Sequence, residues 1–199
     1  DMAEYRFDGK DGDSWRDKEE ILRLDNECRK AAGYPLRMEA FAQPWTSEKA
    51  QPEHVLEMRF TIRSEIQVTD ASLALEESGA TTIYLNGEEV EKKDCGYFVD
   101  ECIRRFPLPA IPAGTSELIL KLAYSRDTNP EWCYLLGSFG VRAEGSEACL
   151  TKLPDTVAFG DYSTQGFPFY AGNMIYEAQL DAEEDGEYVI AAEKFRAPL

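Results

Sequence analysis

Long apolar runs are missing from this 199-residue chain. No stretch approaches the roughly 18 residues that a membrane-spanning helix needs. Histidine is nearly missing too, with His54 alone. A Ser-His-Asp triad or a His-rich metal site would have to be built around that one imidazole. GxSxG, HExxH and Gly-rich phosphate loops do not occur. Basic charge is scarce: 21 Lys and Arg stand against 38 Asp and Glu, for a formal net charge of -17. Such a chain repels phosphate backbones and anionic bilayers, so neither nucleic acid nor membrane is an expected partner. The five cysteines, Cys28, Cys95, Cys102, Cys133 and Cys149, are odd in number and form no CxxC. This argues against a disulfide framework and against zinc. Free thiols suit a reducing compartment such as the cytoplasm. Cys95 and Cys102 flank one strand and would meet only if it bends. The start, Asp1-Met2-Ala3-Glu4, is acidic and lacks an initiator Met, so a processed chain or a piece of a larger protein is expected.

What is present reads as one helix followed by strands. The spacing predicts a helix over 16–32, with Ser14 as cap and Asp17 closing the capping box. Asp17, Glu19 and Glu20 suit its first turn. Ile21, Leu22, Leu24 and Cys28 form an apolar stripe. Gly33 ends the helix and Pro35 blocks its resumption.

In 55–63, Leu56, Met58, Phe60 and Ile62 alternate with polar residues, as in a half-buried strand. Further strands are expected over 72–77, 82–85, around Val90, over 97–106, through Leu118 to Tyr124, and over 132–141 with interruptions at Gly137 and Gly140. Asn86-Gly87 is a type I′ hairpin signal, because both turn residues need positive φ. Strands about ten residues apart, separated by turn signals, indicate a sandwich or jelly roll. After Gly145 four more strands are expected, over 149–153, 156–159, 169–180 and 187–195. The expected organisation is therefore a helix plus β-sandwich over 1–147 and the opening of a second, incomplete sandwich over 148–199.

The candidate chemistry is sparse. Asp100, Glu101, Glu131 and Asp161 can be nominated as a hydrolase pair, but exposed acids are the simpler reading. His54 reads as a strand-edge histidine. Asp8, Asp11 and Asp13 resemble the opening of a calcium loop. The glycines stand at 9 and 12, not at the sixth loop position, so a plain polar turn is preferred over a structural calcium ion, and no cofactor is expected. Aromatic rings are plentiful near loop ends: Trp45, Trp132, Tyr162, Phe167, Phe169 and Tyr170, with Gln165 and Asn173 close by. Such rings stack on the C–H faces of sugars. Trp132, Tyr162, Phe167, Tyr170 and Asn173 are the carbohydrate-binding candidates; the competing reading has these rings fill a seam between two sandwiches.

One resemblance joins these features. Ile83-Tyr84-Leu85-Asn86-Gly87-Glu88-Glu89-Val90 resembles the strand–turn–strand hairpin of the galactose-binding-domain-like jelly rolls in family 2-type bacterial glycoside hydrolases and their relatives. Tyr134-Leu135-Leu136-Gly137-Ser138-Phe139-Gly140-Val141, Phe159-Gly160-Asp161-Tyr162 and the run from Gln165 to Asn173 are similar to segments of the same group. So are Asp25-Asn26 to Arg29 and Gln43-Pro44-Trp45. Ser138 stands where an acid is expected. These motifs are turns, glycines and core aromatics. The resemblance implies a mainly β, jelly-roll accessory segment with no catalytic residues of its own, positioning or bordering a carbohydrate-processing domain. Its expected partners are a carbohydrate or a catalytic domain of the same parent chain. An autonomous carbohydrate-binding module and a protein-interaction module are the alternatives.

Overall fold

The computed structural model describes residues 2–9, 14–37, 50–179, 181–182 and 184–189. The fold is mainly β, with two antiparallel sheets of sandwich class and one α-helix. Contacts divide the chain into two compact units, Asp1–Ser138 and Phe139–Leu199. That division falls before the 147/148 boundary expected from sequence.

In the first unit, strands β1 (Met2–Phe7), β2 (Arg16–Glu20), β3 (His54–Ser64), β5 (Thr81–Leu85), β6 (Glu88–Glu89) and β9 (Gly114–Tyr124) form one sheet in the order β2-β1-β3-β9-β5-β6. A second sheet contains β4 (Ser72–Leu75), β7 (Tyr97–Phe98), β8 (Asp100–Pro107) and β10 (Tyr134–Leu136), in the order β10-β4-β8-β7. β9 lies between β3 and β5, and its side chains alternate strictly. Ser116, Leu118, Leu120, Leu122 and Tyr124 are buried, and the residues between them are half-buried. This is the period-2 pattern of a strand with one face on a core. Leu56, Met58 and Ile62 of β3 and Ile83 and Leu85 of β5 complete that face. Glu57 departs from the alternation: it is buried, with Arg6 at 2.6 Å and Lys121 at 3.7 Å.

The helix α1 (Ile21–Ala32) begins later than expected. Arg16–Glu20 instead extends as β2 against β1, with Met2 opposite Glu20. Glu20 is the cap: its backbone is extended, and its carboxylate accepts from the N–H groups of Leu22 and Arg23. An acid at this point also complements the helix dipole. The C-terminus is as expected, with Gly33 left-handed at φ 72 and the Tyr34 N–H donating to Arg29 O at 2.8 Å. The Asn86-Gly87 turn closes β5 onto β6 with φ of 52 and 85, as a type I′ turn requires. The strand expected over 97–106 is interrupted at Val99, whose φ of 64 is rare for a β-branched residue. The strand expected over 132–141 is two shorter ones, β10 and β11 (Gly140–Glu144).

In the second unit, β11 pairs with β12 (Glu147–Thr151) across the Gly145-Ser146 turn, and a 3-10 turn follows at Tyr162–Gln165. A Cβ on Gly140 would stand 2.8 Å from Lys152 O, so the interruption at Gly140 is a close backbone approach. Among the described residues, β12 is the counterpart of one of the four later strands. No strand forms over 156–159 or over 169–179, while residue 180 and 190–195 lie outside the described residues. Pro154, Gly160, Gly166, Pro168 and Gly172 punctuate this stretch, and its alternation finds no ladder partner among the described residues. A second sandwich is therefore not seen among the described residues.

Leu122 is 1% exposed at the centre of the main sheet. Leu122→Ala is expected to lower the unfolding free energy by about 2–5 kcal/mol, measured by urea denaturation, whereas Thr115→Ala at the exposed strand entrance is expected to change it by less than about 0.5 kcal/mol.

Candidate functional site

Polar side chains of the helix, the segment after it and the end of β9 converge at one end of the first unit. Asp25 projects from α1 and is fully buried. Its Oδ1 accepts the Tyr124 hydroxyl at 2.6 Å. Its Oδ2 accepts from Arg29 Nε at 2.9 Å and from Arg37 Nη1 at 3.1 Å. Burial pushes the Tyr124 hydroxyl far up in pKa, and its bond to the Asp25 carboxylate and that group's charge push it further. The two arginines then clamp the loop that leaves β9. Arg29 donates to Thr128 O at 2.6 Å and to Arg126 O at 3.1 Å. Arg37 donates to Pro130 O at 2.9 Å.

The same network reaches the surface. Arg37 pairs with Glu131, which also accepts from Asn129 Nδ2 at 3.1 Å. Asn129 N–H donates to Glu77 at 3.2 Å. Beside them Trp132 is 46% exposed, and its indole N–H donates to Glu20 Oε1 at 3.1 Å. One carboxylate therefore caps the helix and fixes the indole. Burial pushes Glu20 up, but the Trp132 indole N–H and the Leu22 and Arg23 amides outweigh it and hold Glu20 below the usual carboxylate range. Glu76, just beyond β4, goes the other way: desolvation first, then the charges of Glu131, Glu77 and Asp100, raise it despite Arg37. This end of the sheet thus presents an orientated indole edged by acids. Its chemistry suits contact with hydroxylated or cationic surfaces rather than with anions.

The other sequence candidates lie in the second unit. The Tyr170 ring meets Tyr162 edge-on at 6.1 Å and Phe167 edge-on at 6.2 Å. Its hydroxyl donates to Asn173 O at 3.0 Å. So Tyr162, Phe167, Tyr170 and Asn173 come together, while Trp132 belongs to the first unit. The ring planes cross at 78° and 68°, which gives a mutually packed cluster and no flat platform. Phe159 stacks on Tyr176 at 4.4 Å, and Phe169 is 73% exposed. An open cavity of about 650 Å³ runs beside β11, lined by Val141, Glu144, Thr151, Pro154, Gln165 and Pro168 among others. The Gln165 amide is spent on the Ala158 backbone, accepting its N–H at 2.8 Å and donating to its carbonyl at 3.1 Å. Trp45 lies outside the described residues.

Each nominated acid except Glu101 has a structural partner. Asp100 caps the turn after Val99 by accepting from Cys102 N at 2.9 Å. Asp161 accepts from Ser163 N at 2.9 Å at the start of the 3-10 turn. Glu131 is held by Arg37; Glu101 is exposed. His54 starts β3, bonds Asp8 Oδ2 through Nδ1 at 2.6 Å and stacks on Phe7. Asp8 also accepts from Val55 N at 2.9 Å, and Asp11 and Asp13 lie outside the described residues. No group of three or more ligating side chains is assembled among the described residues. Cys95 sits level with Arg105, three residues along β8 from Cys102. That is roughly 10 Å along a strand, beyond the reach of a disulfide. Sequence reasoning missed Glu20, Arg37 and Glu76 as members of this site. Only tertiary contact distinguishes them from the other charged residues.

No protein-family model, curated protein or solved structure matches this chain.

The raised Glu76 carboxyl gives a pH prediction. A group protonated more readily in the folded state stabilises fully below its ordinary value of 4.5 and loses that contribution as pH rises through the folded value. At neutral pH Glu76 therefore opposes folding. Glu76→Gln is expected to stabilise the protein by a screened fraction of a kcal/mol at neutral pH and to have no effect well below pH 4.5, measured by urea denaturation at both.

Proposed function

We propose that this chain is a non-catalytic accessory β-sandwich segment of a glycoside hydrolase-like protein, of galactose-binding-domain-like jelly-roll type, which positions or borders a carbohydrate-processing domain. The observation that carries this reading is how the nominated acids are used. Of the four, Asp100 and Asp161 are committed to turn amides and Glu131 to an arginine clamp, which leaves the exposed Glu101 alone uncommitted, and one acid makes no hydrolytic pair. Carboxylates engaged in this way organise loops rather than flank a scissile bond. The two-sheet antiparallel fold supports the same reading at the level of architecture, and a fold of this class carries function through its site, not its topology.

A second reading, an autonomous carbohydrate-binding module, is favoured by one feature: Trp132 is half exposed yet held in orientation by Glu20. A pre-orientated indole loses little side-chain entropy on stacking against a sugar. A calorimetric and glycan-array screen of the chain, with Trp132→Ala and Tyr170→Ala beside it, separates the two. The accessory reading expects no saturable sugar binding at millimolar ligand and no turnover of aryl glycosides. Saturable binding abolished by Trp132→Ala would replace it with the binding-module reading, and glycoside turnover would contradict both.

A further inference from the structure

Asn86-Gly87 is the chain's single Asn-Gly step. In such a step the nitrogen of the second residue is unshielded by a side chain and can attack the preceding carboxamide. The turn is solvent-exposed at both residues, so water reaches it. We propose that Asn86 is a non-enzymatic modification site, converted to aspartate and isoaspartate through a succinimide, and that the hairpin gates the reaction.

The chemistry needs only solvent. The Gly87 amide nitrogen gives its proton to water and forms a bond to Asn86 Cγ. The Cγ–nitrogen bond of the carboxamide breaks, and that nitrogen leaves as ammonia, taking up the proton. One water then opens the five-membered imide. Attack at one carbonyl yields Asp; attack at the other yields isoaspartate, with the backbone rerouted through the side chain.

The folded turn opposes the first step in two ways. Asn86 is left-handed at φ 52 and Gly87 at φ 85, and the turn holds Leu85 opposite Glu88. The carboxamide is also engaged on β9. Its Oδ1 accepts from Glu117 N–H at 2.9 Å, while the Asn86 N–H donates to Glu117 O at 2.8 Å. This side chain extends the β5–β9 ladder by one rung beyond the Leu85–Leu118 pair. Its Nδ2 donates to Ser116 Oγ at 3.3 Å, and Ser116 is 1% exposed. The carboxamide must leave both partners before its carbon can meet the Gly87 nitrogen. The products then diverge. Aspartate keeps an acceptor for Glu117 N–H, whereas isoaspartate adds a methylene to the backbone of a two-residue turn, whose register cannot absorb it.

The test incubates the full chain, folded and in guanidinium chloride, and follows residue 86 by peptide mapping with isoaspartate detection. Conversion at Asn86 is expected to be at least about tenfold slower in the folded chain, since it proceeds through local opening. Ser116→Ala, verified as folded by its thermal melt, is expected to raise the folded rate by about threefold through loss of one hydrogen bond. Asn86→Gln should yield no product at this position. Equal rates in folded and unfolded chains would overturn the gating, and so would a Ser116→Ala rate indistinguishable from wild type; absence of conversion in the unfolded chain would overturn the site itself.

Discussion

The buried carboxylate of Asp25 is the constraint on which the site end of the first unit depends. A charge removed from water costs several kcal/mol unless its partners replace the lost hydration. Here the replacement comes from three elements at once: Arg29 from the same helix, Arg37 from beyond it, and Tyr124 from the end of β9. The helix cannot rotate without exposing or orphaning that charge. Its position in turn sets where the two guanidinium groups point, and they collect the carbonyls of Arg126, Thr128 and Pro130. The loop before β10 is therefore shaped from inside, by an acid that solvent never reaches.

That interior arrangement explains the surface above it. Glu131 is held because Arg37 is held, and Trp132 follows directly in the chain. The indole is then tethered from the other side by Glu20, the residue that caps the same helix. A half-exposed tryptophan is thus supported through backbone clamps on one side and a helix cap on the other. Support of this kind holds the exposed ring in one orientation. The aromatic cluster of the second unit is built differently: its rings pack edge to face and satisfy one another.

Much of the scaffold was legible in the sequence, because its signals are local. The alternation of Leu118, Leu120, Leu122 and Tyr124 states which face of β9 is buried, Asn86-Gly87 states a turn, and Gly33 states a helix end. Local signals misled where long-range pairing decides. Arg16-Asp17-Lys18-Glu19-Glu20 reads as the acidic start of a helix, yet it is a charged edge strand, and charge on an edge deters pairing with other chains. Asp25 and Arg29 stand four residues apart on one helix, a spacing shared with ordinary surface ion pairs. Nothing within four residues reveals that Tyr124 and Arg37 close over them. The aromatic stretch after Gly166 carries strand-like residues but joins no ladder among the described residues, so its composition exceeded its structure.

The most direct test of this account is the unfolding free energy of Asp25→Ala by urea denaturation, with the circular dichroism of the native baseline checked. Removing the carboxylate leaves the buried Arg29 guanidinium without an acid and Arg37 with Glu131 alone, and a loss of about 3–5 kcal/mol is expected. A loss below about 1 kcal/mol would mean that the helix and the loop are held by apolar packing alone, and would contradict the central role given to Asp25.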